Sequence, residues 1–254
     1  MESKYLYLLL MGVSLLVPLL RSFEKRVAFY RSFGPLFISI AIVGGLFIVW
    51  DIIFTHYGFW GFNARYVSGL YLANLPAGEW LFFIVIPFCC VFIYRVMNYF
   101  FPGEPWNPVI TRNIGNFLIG FSAALAITFY QHWYTLLTFG FLFLLIVLHS
   151  RIWHTPWLAQ FYRAYLVILV PFFMVNGILT GFGLEEEVVW YNEMEMTGTR
   201  IATVPFEDAF YGMVLILGVI SIYEYLGKKW GLSYARGNPH RIRLFGYLYL
   251  YVFH

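Results

Sequence analysis

From Asn113 to His149 the chain runs without a single aspartate, glutamate, lysine or arginine. A bilayer core about 30 Å thick takes roughly 20 helical residues to cross, so this run predicts two membrane helices turning at Gln131-His132. Five further apolar stretches bring the predicted spans to seven, near 5–20, 34–54, 79–99, 114–131, 133–150, 162–182 and 205–226. Charged residues make up 11% of the chain and hydrophobic ones 61%, with a mean hydropathy of +0.72. Soluble domains carry about 25% charged residues. The fold class expected is an all-α integral membrane protein.

The first stretch resembles a secretory leader, but Glu2 beside Lys4, a late Pro18 and the lack of a small-x-small site before Arg21 predict a retained helix. Cys89 and Cys90 are adjacent and mid-helix, which excludes a disulfide framework and zinc-type spacing and leaves two packing thiols.

The basic residues then set an orientation. With the N-terminus outside, one face collects Arg21, Lys25, Arg26, Arg31, Arg95, Arg112, Arg151, Arg163, Lys228, Lys229, Arg236, Arg241 and Arg243, and the other only Lys4, Arg65 and Arg200. That asymmetry is the positive-inside pattern. It predicts a multi-pass protein of the cytoplasmic membrane with its C-terminus in the cytoplasm. The net charge of +3 reports topology and lipid head groups, and no nucleic-acid partner is expected. The acids of the 183–200 segment read as a solvated surface. The apolar end, Leu244–His254, is too short to span and is expected at the inner interface as part of a 228–254 tail.

Two of the predicted helices open alike. LPAGEWLFF from Leu75 and VPFEDAFYG from Val204 align when Pro76 is laid on Pro205, which puts Gly78 on Glu207, Glu79 on Asp208, Phe82 on Tyr211 and Tyr94 on Tyr223. Weaker echoes precede them in Trp50–Asn63 and Asn176–Asn192. For both motifs to reach the same side, each three-helix unit must run in the same direction, and one helix must intervene. The expected organisation is therefore two parallel repeats, 1–100 and 132–227, joined by a linking helix at 113–131. Asp51, Glu79, Glu207 and Asp208 then share the outer side. Acids at the edge of hydrocarbon are costly and usually functional.

Several chemistries are excluded by what the chain lacks. It has no G-x-G-x-x-G or P-loop, no D-D-x-x-D pair for magnesium, and no mid-membrane lysine for a retinal Schiff base. The closest histidine pair, His149 and His154, suits an interfacial cap beside Trp153 and Trp157. No cofactor and no metal is expected. What remains is acid–base chemistry on an apolar, membrane-dissolved substrate. A carboxyl at a helix start is drawn toward the anion by the helix dipole and toward the neutral acid by desolvation. That balance decides whether it can protonate a double bond, and aromatic faces stabilise the resulting cation. The candidates are Trp50, Trp80, Phe82, Phe83, Phe206, Phe210, Tyr211 and Tyr223.

The segments WDIIFT (Trp50–Thr55), FWGFN (Phe59–Asn63), LPAGEWLFF (Leu75–Phe83), FIYR (Phe92–Arg95), NGILTG (Asn176–Gly181), VVWYN (Val188–Asn192), RIATVPFED (Arg200–Asp208) and SIYEY (Ser221–Tyr225) together resemble the small-helical lycopene cyclase family in its fused, two-repeat form. The resemblance implies redox-neutral cyclisation of lycopene ends to β-rings. An acid protonates the terminal double bond, the next double bond attacks, and a base removes a ring proton. It implies Glu207 as donor or base, Asp208 and Glu79 as its partners, Asp51 as a supporting carboxylate, and Trp50, Trp80, Phe83, Phe206, Phe210, Tyr211 and Asn176 around the substrate. The implied partners are membrane lipid, lycopene or a related linear carotenoid, and other enzymes of the carotenoid pathway.

The family pattern of P-x-E-E or P-x-E-D stands whole at Pro205-Phe206-Glu207-Asp208. In the first repeat Gly78 replaces the leading acid, and Arg95 stands where Tyr223 is followed by Glu224. The alternative is a non-catalytic carotenoid-binding or assembly subunit that kept the fold and lost the acid at Gly78.

Overall fold

The structure, a computed structural model, describes residues 3–232. It is a bundle of helices α1 (Leu6–Ser22), α2 (Phe33–His56), α3 (Ala77–Phe100), α4 (Pro108–Thr128), α5 (Trp133–Val147), α6 (Leu158–Leu179) and α7 (Phe206–Lys229). Among the described residues, six helical segments are long and apolar enough to cross a membrane. The seventh, α1, is apolar but has 17 residues, on the order of 26 Å at the α-helical rise. The all-α, multi-pass membrane class expected from the sequence is the class observed.

The boundaries move where local chemistry sets them. α4 starts six residues before the predicted 114, because Asn107 caps it by accepting from the Val109 N–H and Pro108 occupies its first turn. α5 ends in a π turn over Leu148–Ile152. His149 sits inside that turn, 1% exposed. Nδ1 meets the Thr155 hydroxyl at 2.8 Å and Nε2 the Ser221 hydroxyl at 2.9 Å, with Trp153 and Trp157 edge-on. It is a buried polar tie between α5 and α7, which corrects the expected interfacial cap. The predicted tail falls largely outside the described residues, as do Arg236, Arg241, Arg243 and Leu244–His254.

Short strands at one end of the bundle went unpredicted. β1 (Trp60–Phe62) pairs antiparallel with β4 (Val189–Tyr191). β2 (Tyr71–Leu72) and β3 (Leu75–Pro76) form one hairpin, and β5 (Arg200–Ile201) and β6 (Val204–Pro205) form another. Each hairpin turns through a left-handed alanine, Ala73 at φ 51° and Ala202 at φ 55°. Neither turn carries the Asn-Gly or Asp-Gly signal that marks such a turn in sequence.

The offset that lays Pro76 on Pro205 carries β1 onto β4, β2–β3 onto β5–β6 and α3 onto α7. Backbone bonds repeat too: Ala77 N–H donates to Leu70 at 2.8 Å and Phe206 N–H to Thr199 at 2.9 Å. Each hairpin is also tied to the end of the repeat's middle helix, by Asn74 Nδ2 on the Ile52 carbonyl at 2.9 Å and by the Thr203 hydroxyl on the Gly177 carbonyl at 3.1 Å. α1 packs on α3 as α5 packs on α7, while α2 crosses to α7 and α6 to α3. The two halves are interlocked, and their core is shared.

The 183–200 segment is not simply a solvated surface. Glu185 pairs with Arg65 at 2.9 Å, Glu186 accepts from Asn63 at 2.7 Å, Glu193 binds Arg200 at 2.6 Å, and Glu195 accepts the Trp133 N–H at 3.1 Å. These acids tie the segment to the first repeat and to α5. The cysteines are free thiols, Cys90 being buried.

Candidate active site

Each repeat sets a proline immediately before its third helix and so fixes where the following acids emerge. Pro76 and Pro205 are the last residues of β3 and β6, and α3 and α7 begin at the next residue. Glu79 and Asp208 are 8% and 5% exposed, and Asp51, near the end of α2, is 2% exposed.

All three border one cavity between the repeats, together with Tyr7, Trp60, Tyr134, Asn176, Tyr191 and Tyr211. Asp51 and Asn176 occupy corresponding places on α2 and α6. Asp51 lies within electrostatic reach of Glu79, and Glu79 of Asp208. The cavity is thus ringed by carboxyls from both repeats, over a lining that is mainly apolar and aromatic with Asn176 and Thr180 on α6.

Each acid has an aromatic hydrogen-bond donor. Tyr7 on α1 donates to Glu79 Oε2 at 2.5 Å, and Tyr134 on α5 donates to Asp208 Oδ1 at 2.6 Å. These are the same contact in the two repeats. Tyr191 adds a second donor on Asp208 Oδ2 at 3.0 Å, and the Trp60 indole N–H donates to Asp51 Oδ1. Tyr191 lies on β4, outside the spans. Burial and the Asp208 carboxylate push its phenol well above the usual value, so it stays a donor.

Glu207 is fully buried but faces another way. Its Oε1 accepts from the Thr135 hydroxyl and the Thr197 N–H, both at 2.7 Å, while Oε2 has no hydrogen-bond partner among the described residues. It does not border the cavity. Neighbours on a helix point about 100° apart, so Asp208 turns inward and Glu207 toward α5. Gly78 holds the corresponding place in the first repeat. A Cβ there would lie 2.6 Å from Cγ of Tyr7, so the Tyr7 ring fills the space a side chain would need.

The aromatic candidates divide in the same way. Tyr211 borders the cavity and packs against Phe47, Trp50 and Trp60 with centroids 5.0, 5.2 and 6.3 Å away. Phe82 borders it too. Trp50 stands one layer behind, against Tyr211 and Phe141, and Phe83 is core, 1% exposed. Phe206 and Phe210 pack against Phe121 and Phe139 between α4, α5 and α7. Trp80 donates to the Leu72 carbonyl at 3.0 Å and braces the first hairpin. Tyr223 lies near the opposite end, with its hydroxyl on Ser32 at 2.9 Å, and Tyr94 there donates to Glu224 at 2.9 Å.

Tyr7, Tyr134, Trp60 and Tyr191 escaped the sequence reasoning. Tyr7 precedes Glu79 by 72 positions and Tyr134 precedes Asp208 by 74, and no local pattern links them. Aligning α1 with α5 would have placed the two tyrosines on each other.

Comparison with known proteins agrees with this geometry. No curated protein and no solved structure matches the chain. The family model for lycopene cyclase matches it over residues 4–97 and again over residues 131–226. Those two segments hold the two halves of the cavity. On this evidence the chain is a two-repeat member of the lycopene cyclase family.

Proposed function

We propose that the chain cyclises the linear ends of lycopene or a related carotenoid to β-rings, as a proton-initiated isomerase that needs no cofactor. One carboxyl delivers a proton to the terminal carbon–carbon double bond. The next double bond attacks the tertiary cation, which closes the ring and moves the charge onto a ring carbon. A carboxylate takes a neighbouring C–H proton and its electron pair becomes the ring double bond. One proton enters and one leaves, so the product is an isomer of the substrate.

The observation that carries this reading is the meeting of Asp51, Glu79 and Asp208 around one aromatic-lined cavity. We assign proton transfer to these three. Asp208 accepts a phenolic hydrogen bond on each oxygen, which suits it to the base. Glu79 and Asp51, with one donor each, suit the acid. Tyr211 and Trp60 offer ring faces to the cation, and Asn176 and Phe82 shape the end-group site. Glu207 is a positioning residue that holds the start of α7 to Thr135 and Thr197.

On this reading the missing acid at Gly78 removes nothing from the cavity, because its counterpart Glu207 does not border the cavity either. This favours catalysis over a purely carotenoid-binding or assembly role. The repeats are taken as 1–100 and 132–227 with α4 as the link. The charge pattern supports an orientation with the N-terminus and the cavity on the outer side of the cell membrane and the C-terminus in the cytoplasm.

The test is expression in a lycopene-accumulating bacterium with pigments separated by chromatography. β-Ring carotenoids are expected with the wild-type chain and unchanged lycopene with Asp208→Asn. Unchanged lycopene with the well-expressed wild-type protein would overturn the proposal.

A further inference from the structure

The cavity is one-sided, although the fold around it is nearly two-fold. From the carboxyls its lining descends α7 from Asp208 to Ile216, α3 from Glu79 to Cys90, and α6 from Thr180 back to Tyr165. At 1.5 Å per helical residue the α7 stretch is on the order of 12 Å long and the α3 stretch about 16 Å. Below the acids the lining offers hydrocarbon and aromatic carbon. Close to the acids the lining still carries the Asn176 amide and the Tyr211 hydroxyl, and farther along its polar side-chain groups are the Cys90 thiol and the Tyr165 hydroxyl, which already donates to the Ala209 carbonyl. Half-buried Phe82, Ile86 and Phe172 form the wall toward the outside of the bundle.

The matching groove against α2 is closed. Gly212, which borders the cavity on α7, corresponds by the repeat offset to Phe83, 1% exposed and part of the core. Two glycines draw α2 in. A Cβ on Gly44 would lie 3.1 Å from the Phe83 carbonyl oxygen, and one on Gly218 would lie 3.2 Å from Cγ1 of Val43. In the register that lays Asp51 on Asn176, the place of Gly44 on α6 is held by Leu169, and α6 touches both α3 and α7 more sparsely than α2 does. A missing side chain at Gly212 and a helix held off at α6 leave the space that Phe83 and α2 fill on the other side.

We propose that this lower cavity is a polyene channel, with Gly212 as the residue that admits the chain. The inference rests on the carotenoid reading above and extends it. The end group sits among the carboxyls while the conjugated chain runs down along α6. A chain bearing polar groups would be desolvated there without partners, whereas a bare polyene loses nothing. One channel holds one end, so the two ends of a linear carotenoid react in separate binding events and the one-ring product is released before the two-ring product forms.

The test uses full-length protein purified in detergent from lycopene-accumulating cells, with retained carotenoid measured by absorption per mole of protein. Asp208→Asn traps substrate. Adding Gly212→Phe to it should lower retention about tenfold, the size of a 1.4 kcal/mol change in binding. Gly212→Ala, whose Cβ meets Phe172 and the Tyr165 hydroxyl at an ordinary 3.4 Å, should change retention less than about twofold. Gly120→Phe, at a position with open space around it, controls for adding a phenylalanine to a helix. If Gly212→Phe does not elute as a single folded species, Ile168→Trp fills the same channel from α6. Retention that survives a folded channel-filling variant, or is absent from Asp208→Asn itself, overturns the channel. Retention that depends on Gly212 without any ring formation by the wild type keeps the channel and removes the cyclase reading. Two-ring product forming with no one-ring intermediate in a time course overturns the one-end-at-a-time order.

Discussion

Gly61 and Trp190 face each other at the centre of the β1–β4 ladder and occupy the same position in the two repeats. The approximate two-fold axis therefore passes between them. Their difference in size is what lets the ladder close, since a Cβ on Gly61 would lie 2.4 Å from the Trp190 indole. The ladder carries Trp60 and Tyr191, the donors to Asp51 and Asp208, so this crossing point positions the site in both halves.

Gly61→Ala forces the indole or the strand to move. Overpacking of this kind costs about 1–3 kcal/mol. A lower thermal midpoint of the detergent-solubilised protein, followed by size-exclusion fluorescence, is expected together with reduced ring formation. An unchanged midpoint would show that the strands are not clamped here.

Tyr7→Phe and Tyr134→Phe delete the same hydrogen bond in different repeats, but their effects should differ. Glu79 loses the one side-chain donor seen on it, whereas Asp208 keeps Tyr191. Leaving a buried polar group without its partner costs about 1–3 kcal/mol. Conversion of lycopene should fall further in Tyr7→Phe than in Tyr134→Phe, and Tyr134→Phe combined with Tyr191→Phe should remove the difference. Equal single-mutant losses would argue against redundant donors on Asp208.

Restoring the family acid in the first repeat should harm the protein. In Gly78→Glu the new side chain meets the Tyr7 ring, which holds Glu79. Lower expression and less cyclic product are expected, scored by immunoblot and chromatography. A gain in cyclic product would show that the first repeat lacks an acid it needs.

Adjacent acids on α7 should separate cleanly. A glutamine at 207 can still accept from Thr135 and Thr197 through its carbonyl oxygen, so Glu207→Gln should keep activity within about tenfold. Asp208→Asn removes a cavity carboxylate and should cost about 10²–10⁴-fold, the usual range for a general acid or base. Initial rates on lycopene in membranes provide the comparison, and the reverse order would return the proton chemistry to Glu207.

The orientation can be read with a membrane-impermeant maleimide on intact cells. Lys4→Cys should label directly and Glu104→Cys only after permeabilisation, because the native thiols are buried or half-buried. The opposite pattern would place the cavity on the cytoplasmic side.

The membrane class, the helix order and the grouping of Asp51, Glu79, Glu207 and Asp208 at one end were legible in the sequence. Helix-length apolar runs and the periodic placement of prolines and acids are local properties, and a repeat is visible as text. The hairpins were not legible, since strands of two residues turning through Ala73 and Ala202 carry no pattern long enough to detect. His149 was misjudged because its partners, Thr155 and Ser221, are brought to it by a π turn and by a helix far along the chain.

Sequence alone determined that two proline-led helices would each present an acid at the same end of the bundle. It could not say which acid of the Glu207-Asp208 pair looks inward. That depends on how α7 is rotated against α2, α5 and α6, and the rotation follows from packing among residues distant in the chain. The same packing put Tyr7 where a first-repeat acid would stand and left the space beside Gly212 open. Adjacent carboxyls on one helix turn thus came to face different surroundings, one the cavity and the other the protein behind it.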